Sequence, residues 1–231
     1  MKHTAYIVNC IYFLLICCSC NYQQKKQEEQ KKLDSIALVE QRSIEIADSI
    51  KAAIQKEQSL IAWGDAKFGM TTKDLKNTKT FKGGYFCEYF VSPSLENEKI
   101  DGYLFSNIKA LLHNDTLYRV EIMTFSQNAK YIDNELTRAA NILKKGFTTK
   151  YGAPEIHNPT PTILDIKPDN PTLMYSWNIG PKSINIYMEE SDIDYEYRAT
   201  CVIYNSKFTE SIRRENQKIK EEQEKSFNDK F

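Results

Sequence analysis

The chain has 231 residues, 31 Lys+Arg balanced by 31 Asp+Glu, and a hydrophobic share of 41%. That length suits one medium domain plus an appendage. The neutral balance speaks against a basic groove, so no nucleic-acid partner is expected. With three histidines and no HExxH, P-loop or G-x-S-x-G pattern, the sequence assigns no catalytic residue, metal ligand or cofactor.

Lys2 and His3 precede an apolar run, Ala5 to Ile16, which ends in Cys17-Cys18-Ser19-Cys20. A charged start, a short apolar core and a small residue before a cysteine form the pattern of a secretory signal. It resembles the leader of bacterial lipoprotein precursors, in which the cysteine becomes the new, acylated N-terminus. The resemblance implies that residues 1–19 are removed and that Cys20 carries palmitate-class chains. Cys17 departs from the leucine usual at its position. Counted with its cysteines, the run approaches the ~20 residues of a spanning helix, so an uncleaved anchor is the other reading. One acyl chain, at ~0.8 kcal/mol per buried methylene, binds a membrane marginally, whereas two or three anchor it stably. Asn21 after Cys20, rather than an acid, implies by the same resemblance a lipid-anchored place in the cell envelope, at the outer membrane.

Residues 20–62 read as a tether and an amphipathic stalk helix. Ile36, Val39, Ser43, Ile46 and Ile50 recur in steps of three and four, with Leu33, Ala37, Ile44 and Ile54 in a row beside them. The stripe is broader than a coiled-coil seam and includes Ser43 and Glu57. It suits self-association or a protein partner through residues 33–61, or packing along a domain. Thirty-odd residues would make a rod of ~45–50 Å.

Trp63-Gly64-Asp65 ends that helix and opens a globular domain over residues 63–205. Thr71, with Asp74 three residues later, predicts a capped short helix. Gly83-Gly84 precede a strand through Phe90. Residues 103–112 and 117–125 form a hairpin turning at His113 to Thr116, with Tyr118, Val120 and Ile122 on one face. Asp133 caps a predicted helix whose apolar face is Leu136, Ala139, Ala140, Leu143, Phe147 and Tyr151; Gly152 and Pro154 end it. Five of the seven prolines fall in residues 154–171, a long loop that is either a binding surface or disordered. Strands follow at Leu173 to Ile179, Ser183 to Met188 and Tyr195 to Tyr204. Residues 206–231 form a charged C-terminal helix. The order implies an α+β fold, an antiparallel sheet with helices on one face. A domain of that size buries ~68% of its unfolded surface.

Candidate sites are few. Four of the six cysteines lie in the leader. Cys87 and Cys201 alternate with tyrosines on strands, and an oxidising envelope allows either a disulfide or two buried thiols. The acidic run Glu189, Glu190, Asp192, Asp194, Glu196 is a solvated turn or a partial cation loop. Tyr103, Tyr187 and Tyr204 suit sugar stacking, although β-propensity also explains them. His113 and His157 fall in a turn and in the proline-rich loop, outside any nucleophile motif.

Asp34-Ser35-Ile36, Asp48-Ser49-Ile50 and Asp115-Thr116-Leu117 match the acid-hydroxyl-aliphatic triplet O-glycosylated in Bacteroidetes, which implies glycans on Ser35, Ser49 and Thr116. Phe68-Gly69-Met70-Thr71-Thr72-Lys73 and Lys150-Tyr151-Gly152-Ala153-Pro154 resemble segments of Bacteroidetes-type lipoproteins. At the level of fold alone, the helix-then-sheet units are similar to SmpA/OmlA-type assembly lipoproteins and to the beta-lactamase inhibitory protein. Fold does not carry function. The sequence therefore leads to a non-catalytic, membrane-anchored binding or scaffolding module. An envelope hydrolase with a site near residues 154–171 is the alternative.

Overall fold

A computed structural model describes the backbone of residues 2–85, 93–193 and 195–228, and the side chains of residues 30–85, 93–193 and 195–225. The chain divides into two compact units, Met1–Ile54 and Gln55–Phe231. The first is a single helix, the greater part of α1 (Lys2–Leu60). Within it every described side chain is exposed, the stripe Leu33, Ile36, Val39, Ile46 and Ile50 included. Ser35 and Ser49 sit on this helix and are exposed, and the Ser35 hydroxyl donates to the Lys32 carbonyl at 2.8 Å.

The helix stops at Leu60, two residues before the predicted boundary. Ile61–Trp63 forms β1, which pairs with β2 (Ala66–Lys67) around a Gly64-Asp65 turn. The Leu60 carbonyl, left open at the helix end, accepts from the Phe68 amide at 2.9 Å, and that bond turns the chain into the hairpin. Helix α2 (Thr72–Asn77) carries the expected capping box between Thr71 and Asp74. Most of the strand expected through Phe90 lies outside the described residues; Tyr85 bridges Ser94.

Strand β3 (Ser94–Ile100) is an addition to the sequence reading. Asn97, at φ 58, breaks its alternation, and the charges Glu96, Glu98 and Lys99 suit an edge strand. Then β4 (Tyr103–His113) and β5 (Thr116–Met123) form the expected hairpin. Asn114 and Asp115 supply the left-handed φ values, 49° and 55°, that a two-residue turn requires. A two-residue strand, β6 (Gln127–Asn128), follows.

Asp133 is not the cap of the main helix. A 3-10 turn (Ala129–Tyr131) and a π turn (Ile132–Leu136) come first, and α3 (Thr137–Tyr151) continues from them. The capping side chain is Asn128, which accepts from the Lys130 amide, so the helical path begins a turn earlier than the acid suggests. Residues after α3 hold the short β7 (Ile156–His157), and β8 (Thr172–Ile179), β9 (Lys182–Glu190) and β10 (Glu196–Asn205) complete the sheet. Helix α4 (Ser206–Asn228) starts directly after β10, its Ser206 amide donating to the Pro181 carbonyl at 2.8 Å.

The sheet order is β3-β4-β5-β10-β9-β8-β7, antiparallel throughout, with β6 also on β10. Helix α3 packs on β8, β9 and β10 and buries Ala139, Ala140, Leu143 and Phe147 there. The fold is therefore α+β, with helix packed on one sheet face. The 154–171 segment is fastened rather than loose. The Asn158 amide donates to the Met174 carbonyl at 2.8 Å, Thr162 caps onto Asp165, and Ile166 is buried.

Candidate functional site

Strand alternation sets the site. Ile184, Ile186 and Met188 of β9 face the core, and carrying that period back one step places Lys182 on the same face. Gly180-Pro181 makes the tight β8–β9 turn, and Lys182 enters the sheet paired with Ile179 and Asn205. Its side chain is 1% exposed. Lysine is almost never so buried unless paired. Here the Nζ donates to the Ile61 carbonyl at 2.7 Å and the Tyr151 hydroxyl at 2.8 Å, and among the described residues it has no carboxylate partner.

Above this amine lies a cavity of about 200 Å³. Ile61, Ala62 and Trp63 of β1 form one wall. The other is α3, where Leu143, Gly146, Phe147 and Tyr151 lie one turn apart on the same face. Trp63 meets Phe147 edge-on at 6.2 Å, Phe147 stacks on Tyr151 at 6.3 Å, and Trp177 closes on Phe147 at 5.6 Å. Lys150 stands exposed at the rim, and among the described residues no carboxylate lines the space.

The electrostatics follow from that enclosure. Burial, with a smaller push from Lys150, draws the Lys182 amine down to about 7. Burial also raises the Tyr151 hydroxyl to about 12, so it keeps its proton near neutral pH. Cys201, on β10 opposite Ile186, is a fully buried free thiol pushed up by burial, and is unreactive as a nucleophile. Its possible disulfide partner Cys87 lies outside the described residues.

Gly146 is the second unusual residue. Glycine inside a helix costs roughly 0.5–1 kcal/mol relative to alanine. Its φ is not left-handed, and a Cβ built there meets nothing within 4 Å. Neither conformation nor packing calls for glycine, and what the missing side chain leaves is open space at the pocket mouth. Gly146→Ala is accordingly expected to stabilise the protein by about 0.5–1 kcal/mol, read as a higher urea midpoint. A loss of stability would show a packing demand the geometry does not reveal.

The residues singled out from sequence fall elsewhere. His157 Nε2 lies 3.3 Å from Lys144 Nζ and its ring packs near Tyr175; among the described residues no hydroxyl or acid bonds to it. His113 pairs with Glu215 of α4 at 2.9 Å. In the acidic hairpin, Glu189 accepts from Arg198 and Thr200 at 2.8 and 2.6 Å, and Asp192 also meets Arg198. Asp194 lies outside the described residues, and among those described no three His, Cys, Asp or Glu are placed to hold a metal ion. Tyr103, Tyr187 and Tyr204 are half-buried rather than exposed, Tyr103 lying edge-on to Phe105 at 5.1 Å. Thr116 belongs to the β4–β5 hairpin, its neighbour Leu117 is in the core, and Asp115 accepts from Thr72. The side chain of Cys20 lies outside those described. Among the described residues no helix is long and apolar enough to cross a membrane.

Lys182 and Gly146 were missing from the sequence reading, although each had a signal. The alternation of β9, extended one step past its aliphatic run, reaches the lysine. A lone glycine within a helical pattern marks the other.

No protein-family model, no curated protein and no solved structure matches this chain.

Proposed function

We propose that the chain is a lipid-anchored envelope protein that works as a non-catalytic binding module for a small apolar ligand. The single observation that supports the binding role is the cavity between β1 and α3, walled by apolar side chains and left open at Gly146. Concave, mostly apolar sites with a few convergent polar groups are the usual form of a ligand site. Anchorage rests on the sequence alone, through Ser19-Cys20 and acylation of Cys20. By the resemblance the membrane is the outer one, and the stripe within residues 33–61, exposed from Leu33 to Ile54, offers a contact for a second copy or another protein.

Two measurements test this reading. Mature protein from membranes should have lost residues 1–19 and carry fatty acid on Cys20; an intact Met1 removes the anchor. Hexan-1-ol titrated into the chain should shift the Phe147 amide and the Trp63 indole saturably, and Gly146→Leu should abolish those shifts. Equal shifts in that variant would remove the pocket from the account.

A further inference from the structure

We infer that the pocket takes a small apolar carboxylate, its head held by the Lys182 amine and the Tyr151 hydroxyl and its hydrocarbon lying between β1 and α3. This inference rests on the pocket being a binding site, as proposed above, and adds the chemistry of the occupant.

Charge comes first. Among the described residues the lining carries two lysines, Lys182 at the base and Lys150 at the rim, and no acid. A buried amine without a counter-ion is costly to charge, and an arriving anion supplies what the protein leaves out.

Hydrogen bonding gives the shape of the head group. A lysine ammonium has three hydrogens, and two are spent on Ile61 and Tyr151. The Tyr151 oxygen accepts from Lys182, so its own hydrogen points elsewhere, and no acceptor among the described residues takes it. Two donors 2.8 Å apart, each with a hydrogen to give, match the two oxygens of one carboxylate.

Size completes the description. A dry cavity of roughly 150 Å³ holds benzene. A space of about 200 Å³ therefore suits a short chain or one ring bearing a carboxylate. Gly146 keeps the entrance open, and Lys150 beside it draws anions toward the mouth.

Binding should also be coupled to a proton. The amine titrates near 7 when the pocket holds no anion, and a carboxylate favours its charged form. The titratable groups acting on it are Lys150 and Tyr151 from α3 and, more weakly, Cys201 from β10, while β1 offers the Ile61 carbonyl. Above about pH 7, affinity should therefore fall by about tenfold per pH unit, because the amine must first be protonated.

The test compares hexanoate with hexan-1-ol on the full chain, in wild type and in Lys182→Met. Wild type should bind hexanoate saturably, and the variant should lose at least about tenfold in hexanoate affinity and clearly less for hexan-1-ol. Tyr151→Phe, which removes only the hydroxyl, should lose a few-fold for hexanoate and decides the matter should the first variant not fold. If both variants bind hexanoate like the wild type, or if wild type takes the alcohol and not the acid, the carboxylate inference fails while the pocket stands. If neither probe binds wild type, both fall together.

Discussion

Lys182→Met should unfold at higher urea than the wild type near pH 7 and lose that advantage at about pH 9, where the two stability curves meet. The sign follows from where the proton sits. In the unfolded chain Lys182 has its ordinary value of 10.5; in the native state burial holds it at about 7. Between these values the unfolded chain carries a proton that the native protein lacks, so wild-type stability rises with pH across that window. Each unit is worth about 1.4 kcal/mol, and because the native amine is still half protonated at pH 7 the wild-type rise from pH 7 to pH 9 is about 2 kcal/mol. Methionine removes this dependence. It also strips the Ile61 carbonyl and the Tyr151 hydroxyl of their partner, a loss of about 1–3 kcal/mol. At neutral pH the relief of the buried amine outweighs that loss by roughly 2 kcal/mol, and near pH 9 the two cancel. Curves that run parallel from pH 7 to pH 9 would show an amine with an ordinary proton affinity.

A second large effect is expected at the turn that shapes one wall of the pocket. Gly64 has φ +57°, and an added Cβ would lie 2.0 Å from the Thr80 hydroxyl oxygen. Thr80 cannot simply step aside. Its hydroxyl donates to Asp65 at 2.6 Å and accepts from the Asp65 amide at 3.1 Å, while Asp65 also takes the amides of Lys79 and Thr80. Gly64→Ala therefore adds left-handed strain to a broken network, and should cost about 3 kcal/mol in urea unfolding. Thr80→Ala alone should cost about 1–2 kcal/mol for its hydrogen bonds. Removing that hydroxyl also removes the nearest clash, so the double variant should lose clearly less than the two single losses combined. Strict additivity would mean that strain at Gly64, and not the contact with Thr80, is responsible. The Thr80 hydroxyl, with the Lys79 and Thr80 amides, holds Asp65 down to about 2. Its support for the turn is thus complete above the usual carboxylate range and fades only as pH falls toward 2.

The parts of this fold that were legible in the sequence are those where local chemistry and tertiary packing agree. Thr71 and Asp74 form their capping box, Asn114-Asp115 turn the hairpin, and the apolar face of α3 is buried where its spacing placed it. Strand β3 was hidden because it is a charged edge interrupted at Asn97. The start of α3 was misplaced because Asp133 resembles a cap, while Asn128 and a π turn set the actual path.

The site itself was the least legible, and for a physical reason. Charge reads as surface in any sequence, so Lys182 was passed over although its strand period points inward. Its partners lie 121 and 31 residues away, at Ile61 and Tyr151, and only the folded chain brings them together. The residues that looked chemical, His157 and the Glu189–Asp192 acids, are occupied by Lys144 and Arg198.

The pocket's character comes down to one nitrogen. Nuclear magnetic resonance of the full chain, following the Lys182 Cε and Nζ signals across a pH titration, reads that nitrogen directly. The midpoint should lie near 7, as burial dictates, and move upward when hexanoate is present. A midpoint at the ordinary 10.5, unchanged by hexanoate, would mean an amine open to water and no anion site beneath α3.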